Sequence, residues 1–296
     1  MTRLAIQQRI KTDGLLLFVS AIWGSGFVAQ RIASESMGNF TFNGVRFLLG
    51  ALFLLVLVRF RFRVNRSDLR WVLLSGGLLF GASTFQQVGI KTTTAANAGF
   101  ITGLYVVIIP IMLFLFGRQK IHWSTWTAAI LAVIGALFLS TGGQFEPAPG
   151  DWYELAGAFL WAAHVIVVGK MAREMDALQF SIGQFLAAGL LNAMCGFVFE
   201  TGTSPLPAAW FSVLYSAIFP VGLGFTLQVV GQKTAHTTDA AIIFSMEAVF
   251  AALAGYLFLK EILVPLQLLG CALILAAMLL AQFRQMIGSQ PKKTPA

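Results

Sequence analysis

The chain has 296 residues, 57% of them hydrophobic and only 11% charged, with a mean hydropathy of +0.79. Soluble domains carry about 45–50% apolar and about 25% charged residues, so this chain has too little charge to cover a globule in water, and disorder and collagen are excluded by the same figures. The formal net charge of +8 does not point to nucleic acid, because the basic residues fall in short hydrophilic breaks between apolar runs, as membrane orientation signals do. Cys195 and Cys271 both lie inside apolar runs and have no companions suited to a metal site, and no cofactor is expected.

A helix crossing the ~30 Å hydrocarbon core needs about 20 mostly apolar residues. Charge-poor runs of that length predict an all-α, polytopic membrane protein with ten transmembrane helices, at 14–33, 39–58, 71–90, 95–116, 123–141, 151–169, 178–199, 209–230, 239–258 and 264–283. The runs are continuous rather than alternating, which argues against a barrel. The first follows Arg3, Arg9 and Lys11, as a signal peptide would, but no small-residue cleavage pattern ends it. Trp71, Trp123, Trp126, Trp152 and Trp210 fall at span ends, where indole suits the headgroup level, whereas Trp23 and Trp161 lie near the middle of the first and sixth spans. Gly77-x-x-x-Gly81 in the third span and Gly99-x-x-x-Gly103 in the fourth allow close helix approach without requiring dimerisation. Asn97 and Asp239, at the starts of the fourth and ninth, are expected as N-caps. Pro110 and Pro220 interrupt the fourth and eighth spans and predict kinks.

One set of alternate breaks collects sixteen cations: Arg3, Arg9, Lys11, Arg59, Arg61, Arg63, Arg66, Arg70, Arg118, Lys120, Lys170, Arg173, Lys233, Arg284, Lys292 and Lys293. The other set has three, Arg31, Lys91 and Lys260. Cytoplasmic loops carry the excess of Lys and Arg, so both termini, 1–13 and 285–296, are expected in the cytoplasm and the protein in the inner (plasma) membrane. An odd number of spans would scramble this alternation.

Residues 85–118 written above 227–260, an offset of 142, match in register: Gln86 over Gln228, Gly89 over Gly231, Lys91 over Lys233, Thr92 over Thr234, and Leu115-Phe116 over Leu257-Phe258. Earlier segments match at an offset of 138, with Trp23 over Trp161, Met37 over Met175, Phe42 over Phe180 and Phe47-Leu48 over Phe185-Leu186. The chain is therefore two repeats, 14–141 and 151–284, of five spans each. Five is odd, so the second copy enters the membrane inverted. Inverted repeats are typical of secondary transporters, which seat substrate near the midplane between the copies.

Two five-helix copies, Trp23-Gly24 in the first span and EAVFAALAGYLFLKE at 247–261 resemble the EamA domains of the drug/metabolite transporter superfamily. The likeness covers about 14–284; Glu247, Ala251, Ala252 and Glu261 fit the family's ninth-span pattern, and Ala248 stands where a proline is usual. This resemblance implies an inner-membrane carrier, commonly an exporter of amino acids or other small metabolites. The partners expected are a small-molecule substrate and the lipid bilayer.

Ionisable groups within a span mark pathways or paired sites by default. Glu247 lies at roughly 13 Å depth, counted at 1.5 Å per residue, and Arg46 at about 10 Å from the opposite face, so the two are expected to meet or share water beside a cavity. Such a pair has two readings: a lock between helices, or a site in which Glu247 titrates to couple protons and Arg46 holds a substrate carboxylate. The repeat counterpart of Arg46 is Gln184. Trp23, Trp161, Gln86, Gln228 and His164 complete the expected cavity, with packing as the alternative role for each; Gln87 and Asn192 are further candidates for lining or for bonds between helices. No H-E-x-x-H, paired-aspartate or P-loop pattern is present, and Gly24-Ser25-Gly26 has no evident histidine partner, so an intramembrane enzyme or an ATP-driven pump is disfavoured. A passive facilitator shares every feature of a carrier here.

Overall fold

The computed structural model describes residues 3–117, 119, 121–141, 148–200 and 207–288. Of the basic residues that orient the chain, Arg118, Lys120, Lys292 and Lys293 lie outside the described residues, as do the side chains of Arg3 and Arg284.

The described residues form helices that run end to end as ten rods. The first five are α1 (Arg3–Ser34), α2 (Asn39–Leu57), α3 (Arg66–Gly89), α4 (Ala95–Gly103 continuing as Tyr105–Leu115) and α5 (Trp123–Thr141). The second five are α6 (Pro149–Met171), α7 (Ala177–Phe199), α8 (Pro207–Ser216, Ala217–Phe225 and Thr226–Gln232), α9 (Thr237–Phe244, Met246–Ala254 and Gly255–Leu259) and α10 (Pro265–Gly288). Seven of the rods hold segments long and apolar enough to cross a membrane. The apolar parts of α5 and α10 are shorter, Trp123–Leu139 and Pro265–Leu280. The remaining rod, α3, is more polar because Ser75, Ser83, Gln86 and Gln87 line its protein-facing side, where all four are buried. The result is a polytopic, all-helical membrane fold.

Lipid tails are as apolar as leucine, so close packing rather than water expulsion holds such rods together. Small residues provide it. A Cβ on Gly44 would stand 3.0 Å from the Ala193 amide, one on Gly189 2.9 Å from the Leu48 side chain, and one on Gly196 3.2 Å from Thr41 Oγ1. Partners in α7 therefore fall in number as those in α2 rise, and the two rods are antiparallel. Because α2 and α7 are repeat counterparts, the halves run in opposite directions. Gly135 and Gly270 give α5 and α10 the same antiparallel approach.

The contacts also obey a two-fold exchange of the halves. The α3 rod packs on α6 and α7, and α8 packs on α1 and α2; α4 packs on α6, and α9 on α1. Side chains on this axis meet their own counterparts. Phe47 and Phe185 have ring centroids 6.3 Å apart, and Tyr105 bonds to Glu247, 142 positions on. Each half is thus completed by the other.

Three local expectations are corrected. Thr94, not Asn97, caps α4: its hydroxyl accepts from the Asn97 amide at 3.0 Å, placing Asn97 in the first turn. Asp239 likewise sits in the first turn of a helix whose N-cap is His236. Of the paired glycines, Gly77 and Gly103 face open space, and only Gly81 and Gly99 approach a neighbouring helix. Pro110 lies within the second part of α4, and Pro220 within a π-helical stretch of α8 that loosens the i to i−4 ladder the ring would break.

Candidate functional site

Two rods tighten locally where the halves meet, their backbone angles staying helical. In α4 the helix is interrupted at Leu104, and in α9 at Ser245, within one residue of the repeat-related position. The residues just beyond these turns, Tyr105 and Glu247, project to the same place. Tyr105 Oη donates to Glu247 Oε1 at 2.9 Å.

Around this pair lies a partly open cavity, with about 520 Å³ free of atoms when the open solvent at its mouth is included. The first half contributes Trp23, Phe27, Gln30, Arg46, Gln86, Thr102 and Tyr105; the second contributes Trp161, His164, Val165, Pro220, Phe225, Gln228 and Glu247. All seven residues singled out from the sequence, Trp23, Arg46, Gln86, Trp161, His164, Gln228 and Glu247, therefore border one space.

Its walls are aromatic. The Phe225 ring lies between the two repeat-related indoles, with centroids 5.0 Å from Trp23 and 5.7 Å from Trp161, the latter stacked at 13°. Trp23 Nε1 donates to the Pro220 carbonyl at 3.2 Å, which fixes that ring, while Trp161 Nε1 is buried without an acceptor. Gln228 is fully buried with neither end of its amide bonded. Buried polar atoms of this kind are rare, and each calls for an explanation.

Of the two arrangements expected of Arg46 and Glu247, direct contact is not formed: among the described residues the ion pair within 4.0 Å is Arg9 with Asp13. The Arg46 guanidinium instead stands over the rings of Phe42 and Phe47, 5.0 and 5.1 Å from their centroids, with Nε unpartnered. Tyr105 takes the carboxylate instead. Arg46 and Glu247 thus offer the cavity a buried cation and a buried carboxyl not bonded to each other.

His164 Nε2 lies 2.9 Å from Gln184 Oε1, which also accepts from Ser75 at 2.8 Å. The Arg46 counterpart therefore anchors His164, whose Nδ1 is left unbonded. Gln87 and Asn192 do not border the cavity; Gln87 bonds to the Gln30 carbonyl and Asn192 to the Ala188 carbonyl. Ser25 is taken up by Tyr215, 2.6 Å away. Glu261 lies just past α9; burial pushes its carboxyl up, against the opposing pull of the Ala95 amide and Arg31.

Sequence reasoning missed Tyr105, Thr102 and Phe225 as lining residues. Tyr105 was within reach, since the repeat alignment sets it over Glu247. It also missed Glu154, five residues past Pro149 at the start of α6 and wholly buried, whose Oε2 accepts from Thr102 Oγ1 at 3.2 Å.

The chain is similar in sequence and in fold to known proteins. An uncharacterized transporter of Archaeoglobus fulgidus is 33% identical over 277 residues, 94% of this chain and 87% of that protein. The threonine/homoserine exporter RhtA of Escherichia coli (strain K12) is 27% identical over 89% of this chain and 88% of its own length. The aromatic amino acid exporter YddG of Ancylobacter novellus is 27% identical over 55% of this chain and 58% of its own. One solved crystal structure has the same fold, with a TM-score of 0.78 at 21% identity, covering 92% of this chain and 98% of that one. The pattern of the EamA-like transporter family matches twice, at residues 10–141 and 148–283, once on each half. The chain belongs to the EamA-like transporter family, as a multi-pass membrane protein built from two EamA units.

Proposed function

We propose that this protein is a secondary transporter of the inner membrane that exports a small zwitterionic metabolite, an amino acid with an apolar or aromatic side chain, by alternating access. The observation that carries this reading is the cavity holding Arg46 and Glu247 apart from each other between Trp23, Phe225 and Trp161. A guanidinium suits a carboxylate through its planar fork, a carboxylate suits an ammonium group, and flat rings suit an apolar side chain. The names of RhtA and YddG support the amino-acid class and the outward direction. In this reading the repeats 14–141 and 151–284 rock about the shared cavity, residues 1–13 and 285–296 lie in the cytoplasm, and Glu247 exchanges a proton for the substrate ammonium.

Counterflow in proteoliposomes tests it. Vesicles preloaded with unlabelled phenylalanine or threonine should take up the labelled amino acid, and Glu247→Gln should abolish accumulation driven by a pH gradient. Downhill flux indifferent to the gradient would make the protein a facilitator, and absence of exchange for amino acids of every class would overturn the substrate assignment.

A further inference from the structure

Glu154 borders no part of the cavity, and nothing in the transport reading uses it. Its carboxylate is wholly buried in α6, Oε1 has no partner, and no cation pairs with it among the described residues. Packing does not require a carboxylate there. The repeat counterpart is Leu16, and the two fill matching places: a Cβ on Gly89 would stand 2.8 Å from Glu154 Cγ, and one on Gly231 would run into the Leu16 side chain. An apolar residue does the same work in the other half.

What distinguishes Glu154 is its polar surroundings. One turn earlier on α6, toward the end where that helix begins, Asp151 is half-buried and accepts from Thr93 Oγ1 at 2.7 Å. On the cavity side Thr102 donates to Glu154 and itself lines the cavity beside Tyr105, which donates to Glu247. From α3 it meets the Gly89 backbone; the charged groups acting on it are Asp151 and, across the cavity, Glu247. The other half closes the equivalent route: Asp13 is bridged to Arg9, and Leu16 and Phe244 replace Glu154 and Thr102.

We infer that Glu154 is a second proton-carrying carboxylate, outside the cavity, through which protons reach Glu247 from the face where α6 begins and from that face alone. The inference rests on the transporter reading. A proton from water on that face passes by Asp151 to the Glu154 carboxylate, then by the Thr102 hydroxyl and cavity water to the Glu247 carboxylate. It leaves to water on the opposite face when the cavity opens there. Only O–H bonds are made and broken, and one proton moves inward for each substrate moved out.

The test uses the full chain in liposomes, with Glu154→Gln and with Glu154→Leu, which copies the residue of the other half and so preserves packing. At one proton per substrate, a gradient of one pH unit should sustain about tenfold accumulation in the wild type, a ratio near one in both variants, and unchanged counterflow in all three. Accumulation retained in both variants overturns the inference, as does a wild type that exchanges substrate without answering to pH, or one driven by a sodium gradient instead. If the wild type exchanges nothing, the transporter reading fails. Infrared titration of protonated carboxyl bands then decides the inference: a titrating band lost in Glu154→Gln sustains the proton site, and identical spectra overturn it.

Discussion

Arg46 is buried and, among the described residues, forms no ion pair, and its place over two phenyl rings fixes where the guanidinium points. Lysine keeps the charge but loses the fork and the planar stacking, so Arg46→Lys is not conservative here. It should raise the half-saturation concentration for an amino acid about tenfold, worth roughly 1.4 kcal/mol, while leaving an amine without a carboxylate unaffected; equal loss for both would remove carboxylate recognition from Arg46. Tyr105 fixes the other charged group. Tyr105→Phe leaves Glu247 Oε1 without its donor inside the bundle, at a cost of about 1–3 kcal/mol, and should lower the thermal midpoint in detergent while Arg46→Lys leaves it unchanged. At this scale the sequence was informative where chemistry is unusual in an apolar run: Arg46, Glu247, Gln86, Gln228 and the mid-span tryptophans border the cavity, while Gln87 does not. It misled where orientation about the helix axis matters, which is why Arg46 was matched with Glu247 while Tyr105 holds that carboxylate. Glu154 escaped notice because a carboxylate near a span end looks interfacial until the burial of that end is known.

The most extensive helix contacts run across the halves, as α5 with α10 and α2 with α7, and two contacts show how. Gly24 lets α1 lie on α9 just where Glu247 is held, since a Cβ there would stand 2.5 Å from Phe250 Cβ and 2.7 Å from the Glu247 carbonyl. Gly24→Ala should cost about 1–3 kcal/mol by overpacking and displace Glu247, so a fall in the thermal midpoint accompanied by weaker exchange is expected; unchanged values for both would deny the close approach. Glu200, at the end of α7, receives the Phe40 and Thr41 amides at 2.9 and 2.8 Å and so caps α2 from the other half. Glu200→Ala should cost about 0.5–2 kcal/mol, as loss of an N-cap does, readable in the thermal midpoint, with Glu200→Gln closer to wild type. Span positions were legible because hydropathy alone sets them. The interruptions at Leu104 and Ser245 were not, since neither residue is a proline or glycine.

Over the whole molecule, repeat parity, antiparallel pairing of α2 with α7 and the two-fold pattern of contacts describe one arrangement: two oppositely directed halves around a shared cavity. Repeat and parity were legible in the sequence from polar residues in register, Gln86 with Gln228 and Lys91 with Lys233, while the interleaving of the halves depends on packing that no periodicity encodes. Inversion makes a sharp demand on that last pair. Lys91 and Lys233 are counterparts, and both are exposed, yet they must lie on opposite sides of the membrane. In a background with Cys195 and Cys271 replaced by serine, a membrane-impermeant maleimide added to intact cells should label Lys91→Cys at once and Lys233→Cys only after the membrane is permeabilised. Labelling of both positions from the same side would contradict the inverted arrangement, and the alternating-access account with it.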